Sequence, residues 1–283
     1  MSEKVQDVED RLVWLLNIFE LKASVFQAGK LTDPASFDVE SGLSYIHVLR
    51  RGKLLLKMSG KPYQLLEEPS IFVYMNPTSS QLVPQDEHVD IICASFDFGA
   101  KFSNPIIKAL PETILIRQEN MPTLKASLNP LFQEAEKDHC GRQAILDLQI
   151  EIIIIQLLRD LMDENLIKVG VLAGLAHPKL SSAITAMHAR PEKHWTLEEL
   201  AKTAGMSRAH FSTTFRNIVG ETAVTYLTKW RIGIAQSLLS RDKPIQLIAN
   251  ELGYSNASAF SRVFLAHVGT TPTNWKTQYL SKN

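Results

Sequence analysis

One motif occurs twice in the carboxy-terminal part of the chain. TLEELAKTAGMSRAHFSTTFRNIVG (residues 196–220) returns as IQLIANELGYSNASAFSRVFLAHVG (residues 245–269). Leu200-Ala201 answers Ile248-Ala249, Gly205 answers Gly253 and Ser207 answers Ser255, each pair 48 residues apart. Phe211 with Phe260, Phe215 with Phe264 and Gly220 with Gly269 are 49 apart, so the second copy has one extra residue just after its serine. Repetition of this kind means that one supersecondary unit is built twice. The unit has the grammar of a helix-turn-helix. An amphipathic helix with Ala at its inner face runs into a Gly, which tolerates the positive φ of a tight turn. Ser207 or Ser255 then caps a second helix, the i,i+4 phenylalanine pairs plug that helix into a core, and Gly220 or Gly269 ends it. Thr196 with Glu199 forms a capping box at the start of the first copy.

Charge supports the same division of the chain. The 283 residues hold 30 Lys and Arg against 30 Asp and Glu, a net of zero. From His177 onward there are 13 basic and 6 acidic residues, +7, which leaves −7 on residues 1–176. A basic module joined to an acidic one points to a polyanionic partner for the former.

With these motifs in place, residues 178–280 resemble the DNA-binding domain of the AraC/XylS family of transcription regulators. The matching segments are WTLEELAKTAGMSRAHFSTTF, YLTKWRIGIAQSLL and IQLIANELGYSNASAFSRVFLAHVGTTPTNW. The run from Gly253-Tyr254-Ser255 through Phe260-Ser261-Arg262-Val263-Phe264 to Gly269 and Pro272 is the most specific of them. The resemblance implies two recognition helices, spaced by a connecting helix over about 222–240 for successive major grooves of double-stranded promoter DNA. Mapped onto this sequence, the base-facing positions are Ala209, Ser212 and Thr213 in the first unit, and Ala257, Ser258 and Arg262 in the second, with Ser261 a further candidate DNA contact. Arg262 suits a bidentate contact to a guanine edge, worth about 1–3 kcal/mol of discrimination; a phosphate contact is the alternative. Arg208, His210, Arg216, Lys229 and Arg231 are candidates for phosphate contact or for structural ion pairs. Because alanines and small hydroxyls dominate, methyl contacts and DNA shape are expected to supply much of the specificity.

The first 175 residues more loosely resemble the cupin-type effector domains of one branch of that family. Short apolar runs, SYIHVL, KLLLKM, SIFVYM and HVDIICASFDF, are separated by turn residues such as Ser59-Gly60-Lys61-Pro62 and Asn76-Pro77, which suggests a sandwich or small barrel. A short helix is predicted over Val8 to Phe19, and further helices over 123–137 and 142–162. Helix 142–162 is apolar around most of its circumference and so must bury two sides, as a homodimer interface or as a central core helix. The fold expected is therefore α+β with two domains: a cupin-like β-barrel with flanking helices over 1–162, a linker over 163–177, and an all-α domain over 178–283.

Tyr45, His47, Tyr63, Phe72 and Tyr74 alternate along the predicted strands and are candidates to line a small-molecule effector pocket. His47 and His88 stand alone, so no metal site and no cofactor are expected. Among enzyme classes the front half allows only a catalytic cupin, and its ligands are missing, so the chain reads as a non-enzyme. Cys93 in IICASF reads as a buried hydrophobe; Cys140, beside His139 and Arg142, leaves a redox switch open. No apolar run approaches the length of a membrane span and the acidic start is not a signal peptide, so the expected compartment is the cytoplasm. The function expected is a transcription regulator that binds its operator and answers to a small-molecule effector, with RNA polymerase as a further candidate partner. The alternatives are an effector-independent regulator whose barrel only oligomerises, and a cysteine-based redox sensor.

Overall fold

A computed structural model describes residues 10–37, 43–58, 60, 62–67, 69–75, 80–99, 104–117 and 122–280. Val8, Ser59, Lys61 and Asn76-Pro77, named above, lie outside these. The chain forms two compact units: a β-rich one from residues 20–101 and 110–166, and a helical one from 1–19, 102–109 and 167–283.

The β-rich unit contains two antiparallel sheets that do not close into one barrel. Five strands, β1 (Lys22–Leu31), β3 (Ser44–Arg51), β6 (Ser70–Tyr74), β8 (Val89–Asp97) and β9 (Thr113–Arg117), form one sheet in the order β1-β8-β3-β6-β9. The other is β2 (Ala35–Phe37), β4 (Leu54–Met58), β5 (Gln64–Leu66) and β7 (Ser80–Pro84), in the order β2-β7-β4-β5. The predicted apolar runs are β3, β4, β6 and β8. β4 alternates, with Leu54, Leu56 and Met58 buried, because only one face meets the core. In β6 all five residues are buried, as a central strand covered on both faces must be. Leucines of β4 and β7 pack with Tyr45, Leu49, Phe72, Tyr74 and Ile91 of the larger sheet.

Two helices complete this unit, α3 (Pro122–Ala135) and α4 (Arg142–Asp163). β1 is an edge strand, and α4 closes part of that edge with side chains. Asp147 accepts from the Val25 amide (2.7 Å), Glu151 accepts from the Ala23 amide (3.1 Å), and Gln143 donates to the Val25 carbonyl (2.8 Å). Spacing of four puts all three on one helix face. The clasp sits where the β1–β8 register shifts, between Val25 and Gln27. α4 buries Leu146, Ile150, Ile153, Ile154, Leu157 and Leu158, while Ile145, Leu148 and Ile152 stay exposed.

The helical unit holds α1 (Val13–Ile18), α2 (Pro105–Ala109), α5 (Val171–Ala176) and α6 (Leu180–Ala189). They are followed by α7 (Leu197–Thr203), α8 (Arg208–Val219), α9 (Ala223–Ser240), α10 (Ile245–Glu251), α11 (Ala257–Val268) and α12 (Pro272–Leu280). The segment read as a linker contains α5, whose Val171, Leu172 and Leu175 are buried. The opening helix, placed by sequence with the β-rich half, belongs to this unit: Phe19 meets Trp230 edge-on, with ring centres 5.9 Å apart.

Candidate nucleic-acid interface

Each helix-turn-helix is held by its own core. Phe211 and Phe215 are fully buried in the first copy. In the second, Phe260 and Phe264 pack with Ile248, Ala249 and Leu252 of α10 and with Ile232, Ala235 and Leu239 of α9. The caps of the first copy and both terminal glycines are as the sequence implies. Thr196 and Glu199 make the reciprocal capping box, and Ser207 accepts from the His210 amide to start α8. Gly220 and Gly269 end α8 and α11 in the left-handed conformation.

One expectation is corrected here. The cap of α11 is Asn256, whose side chain accepts from the Ala259 amide at 2.8 Å, and not Ser255. The extra residue of the second copy displaces the helix start by one position, so the cap moves with it.

The turn glycines differ in a way the repeat does not reveal. Gly205 has φ +59 and open space where a Cβ would sit. Gly253 has φ +74, and a Cβ there would lie 2.1 Å from the Glu192 carbonyl oxygen. The 191–193 loop thus lies directly against the second turn. The same loop holds Arg231 of α9, which donates to the Pro191 carbonyl (2.5 Å) and the Lys193 carbonyl (3.0 Å). The Arg231 guanidinium also sits 5.6 Å over the Tyr254 ring. Arg231 is therefore a structural tie between the two helix-turn-helix units. Lys229, the other connecting-helix cation, is ion-paired with Glu221.

The predicted recognition positions fall on open helix faces. In α8, Arg208, Ala209, His210, Ser212, Thr213 and Arg216 are all exposed. In α11, Ser258 and Arg262 are exposed, while Ala257 and Ser261 are half-buried at the edge of that face. Among the described residues no partner pairs with Arg208, Arg216 or Arg262. Exposed Asn217 and Leu265 extend the two faces and were missed by sequence reasoning. The signal was present: Asn217 follows Thr213 by one turn, and Leu265 is the 49-residue counterpart of Arg216.

Two capped, solvent-facing second helices on a +7 segment are what a DNA-reading module requires. Comparison with known proteins agrees. A family described as Cupin matches residues 10–163, and one described as Helix-turn-helix domain matches residues 200–278. The chain belongs to the AraC family of DNA-binding transcription regulators, with a cupin-like amino-terminal domain. The HTH-type transcriptional regulator AlkR of Acinetobacter baylyi is 37% identical over 180 residues, which span 62% of this chain and 59% of that protein. The RCS-specific HTH-type transcriptional activator RclR of Escherichia coli is 28% identical over 81% of this chain and 83% of its own. Among solved structures, ToxT of Vibrio cholerae aligns over 91% of this chain and 97% of its own, with 11% identity and a TM-score of 0.40.

In the β-rich unit the effector candidates divide. Tyr45, His47, Phe72 and Tyr74 are brought together by the β3–β6 register, which pairs Tyr45 with Tyr74 and His47 with Phe72. The rings of Tyr45 and Tyr74 stack at 5.4 Å, and Tyr74 Oη is hydrogen-bonded to His47 Nε2 (3.0 Å) and Ser80 Oγ (2.7 Å). Burial holds His47 neutral, with its pKa lowered to about 3, and raises that of Tyr74. Tyr63 does not join them. It is 67% exposed, beside Lys57, because it precedes a three-residue strand at the edge of the smaller sheet. Among the described residues no group of three or more His, Cys, Asp and Glu side chains is placed to hold a metal, and no helix is long and apolar enough to cross a membrane. Cys93 is buried, with its thiol pushed up by desolvation, whereas Cys140 is exposed.

Proposed function

We propose that this regulator reads its operator sequence-specifically through α8 and α11, works as a homodimer seamed along α4, and answers to a small-molecule effector. The exposed recognition faces, each fixed by a cap at both ends and free of intramolecular ion pairs at Arg208, Arg216 and Arg262, carry this reading. Ser212, Thr213, Ser258 and Arg262 reach base edges, Ala209 and Ala257 offer methyl contacts, and Arg208, His210 and Arg216 meet phosphates. Arg262→Ala should weaken binding by about 1–3 kcal/mol at one base pair, whereas Arg216→Ala should weaken all sequences alike and reduce the salt slope by about 1. Equal losses for Arg262→Ala across a panel of operator variants would refute base readout by this residue.

The homodimer rests on the outer face of α4. Ile145, Leu148 and Ile152 are exposed, and Ile155 is half-buried. Spacings of three, four and three are those of a coiled-coil seam, and a second copy of the same helix is the occupant that such a self-complementary stripe fits. By linkage, an effector that changes DNA affinity must bind with an affinity that DNA changes equally. A barrel used only for oligomerisation is the second reading. It is favoured by the filling of the sheet interior by Tyr45, Phe72, Tyr74 and leucines. A thermal-shift screen of small molecules separates the two, because a ligand that binds only the folded state raises its melting temperature.

A further inference from the structure

The two recognition helices differ in kind. α8 (RAHFSTTFRNIV) presents Arg208, His210 and Arg216 to solvent, whereas α11 (ASAFSRVFLAHV) has Arg262 as its one arginine and contains no lysine. His267, near the end of α11, turns back to the Val263 carbonyl of its own helix at 2.9 Å. The lysines beside the second copy are committed elsewhere: Lys243 pairs with Glu251, and Lys276 with Asp242. Where the first copy has Arg216, the second has Leu265, 49 residues on. An apolar side chain thus stands at the place of a cation.

Leu265 does not belong to the core of the second copy. Val263 and Val268, its apolar neighbours on α11, pack against that core, and Phe264 is fully buried within it. Leu265 is 45% exposed. Spacings of four and three residues line Ser258, Arg262 and Leu265 along one helix face. The leucine therefore continues the surface on which Arg262 holds a cation with no partner among the described residues. An exposed leucine gains nothing from water. The major groove of DNA offers it one apolar group on the base edges, the C5-methyl of thymine. The sugar–phosphate backbone also offers contacts, but these carry no sequence information.

We infer that Leu265 is a specificity-determining residue that reads a thymine methyl in the half-site bound by α11. The inference rests on base readout through α11 and adds the identity of a base that this helix selects. A rise of about 1.5 Å per residue puts Leu265 about 4.5 Å along the helix axis from Arg262, against about 3.4 Å per base pair of DNA. The thymine accordingly lies within two base pairs of the pair read by Arg262. The two units then divide the work: α8, with two arginines and a histidine at its surface, anchors to phosphates, and α11 discriminates.

The test uses the full-length protein and its preferred duplex, selected from a pool of random sequences. Each thymine is replaced in turn by deoxyuridine, which removes the C5-methyl and leaves the hydrogen-bonding groups of the base edge in place. Wild type should lose about fourfold in affinity at one thymine, the value of one buried methyl group, within two base pairs of the position that Arg262→Ala relaxes. Leu265→Ala should bind the thymine and uracil duplexes equally; alanine is the best helix former and the position is exposed, so the helix is kept. Leu265→Met, which keeps an apolar side chain of similar volume, should retain the distinction. No uracil penalty at any thymine, a penalty undiminished in Leu265→Ala, or an equal loss for Leu265→Ala on every duplex overturns the proposal. If Arg262→Ala relaxes one base pair while no uracil substitution matters, base readout by α11 stands and the role of Leu265 falls. If neither variant changes any base preference, base readout by α11 fails with it.

Discussion

Gly205 and Gly253 occupy equivalent turns, so the same substitution at each isolates one physical difference. Gly205→Ala puts a Cβ into open space and incurs only the left-handed backbone penalty, about 1–2 kcal/mol. Gly253→Ala incurs that penalty and also drives a Cβ to 2.1 Å from the Glu192 carbonyl oxygen and 2.8 Å from its carbon. Both are backbone atoms, which cannot swing aside as a flexible side chain does. Forced overpacking of this kind costs typically about 1–3 kcal/mol more. Gly205→Ala should therefore lose about 1–2 kcal/mol and Gly253→Ala about 2–5 kcal/mol. At about 2–4 °C per kcal/mol for a unit of this size, the melting temperatures should fall by roughly 2–8 °C and 4–20 °C. Within one preparation scheme the second shift should clearly exceed the first. Circular dichroism at 222 nm during heating measures both, because the helical unit dominates that signal. Relief of the clash moves the 191–193 loop, which also holds Arg231, so Gly253→Ala should disturb the spacing of the two recognition helices. An operator with one base pair inserted between its half-sites should then lose less affinity with Gly253→Ala than with wild type. Equal thermal losses for the two alanine variants would refute the close-approach argument.

Other outcomes follow from the same structure. Leu148→Asp with Ile152→Lys should leave the far-UV helical signal at low temperature unchanged, since both positions are exposed on one subunit, and shift the protein to monomer in sedimentation equilibrium with a lower melting temperature; a retained dimer rejects the α4 seam. His188 is buried, hydrogen-bonded to Tyr226 Oη and stacked at 3.8 Å on Trp230, with its pKa lowered to about 3. Its neutral form is the folded one, so its contribution is whole above pH 6.5 and fades as pH falls toward 3; at pH 5 the loss is about 2 kcal/mol. Denaturant midpoints from pH 7 to 5 should flatten in His188→Phe. Deleting residues up to 177 removes α5, with Val171, Leu172 and Leu175 all buried, so fragment 178–283 should melt well below fragment 167–283.

The repeat made the helical unit legible because its information is local. Caps, turn glycines and i,i+4 phenylalanines all act within a dozen residues, and each lands where its chemistry places it. The single insertion in the second copy was also visible, and taking its consequence one step further would have moved the cap from Ser255 to Asn256. What escaped was non-local. A six-residue helix such as α1 carries nothing that says which unit it joins; that is decided by Phe19 meeting Trp230 more than 200 residues away. The β-rich half was legible as strands but not as pairings, so alternation grouped Tyr63 with Tyr45 although the edge position of β5 keeps it in water. The charge split was visible in the sequence, whereas the tie of Arg231 to backbone carbonyls was not, because a carbonyl leaves no trace in residue type.

Asp147, Glu151 and Gln143 hold β1 by its backbone rather than by its side chains. These three contacts depend on the course of the strand and not on the residue types at Ala23 and Val25. What the helix reads is the path of the main chain at the bulge near Val25. A change in sheet curvature there, from whatever source, reaches α4 as a displacement of its polar row. On the opposite side of the same rigid rod lie Ile145, Leu148 and Ile152. The sheet and a second subunit would thus be joined through one helix thickness, by a linkage made to the main chain of β1.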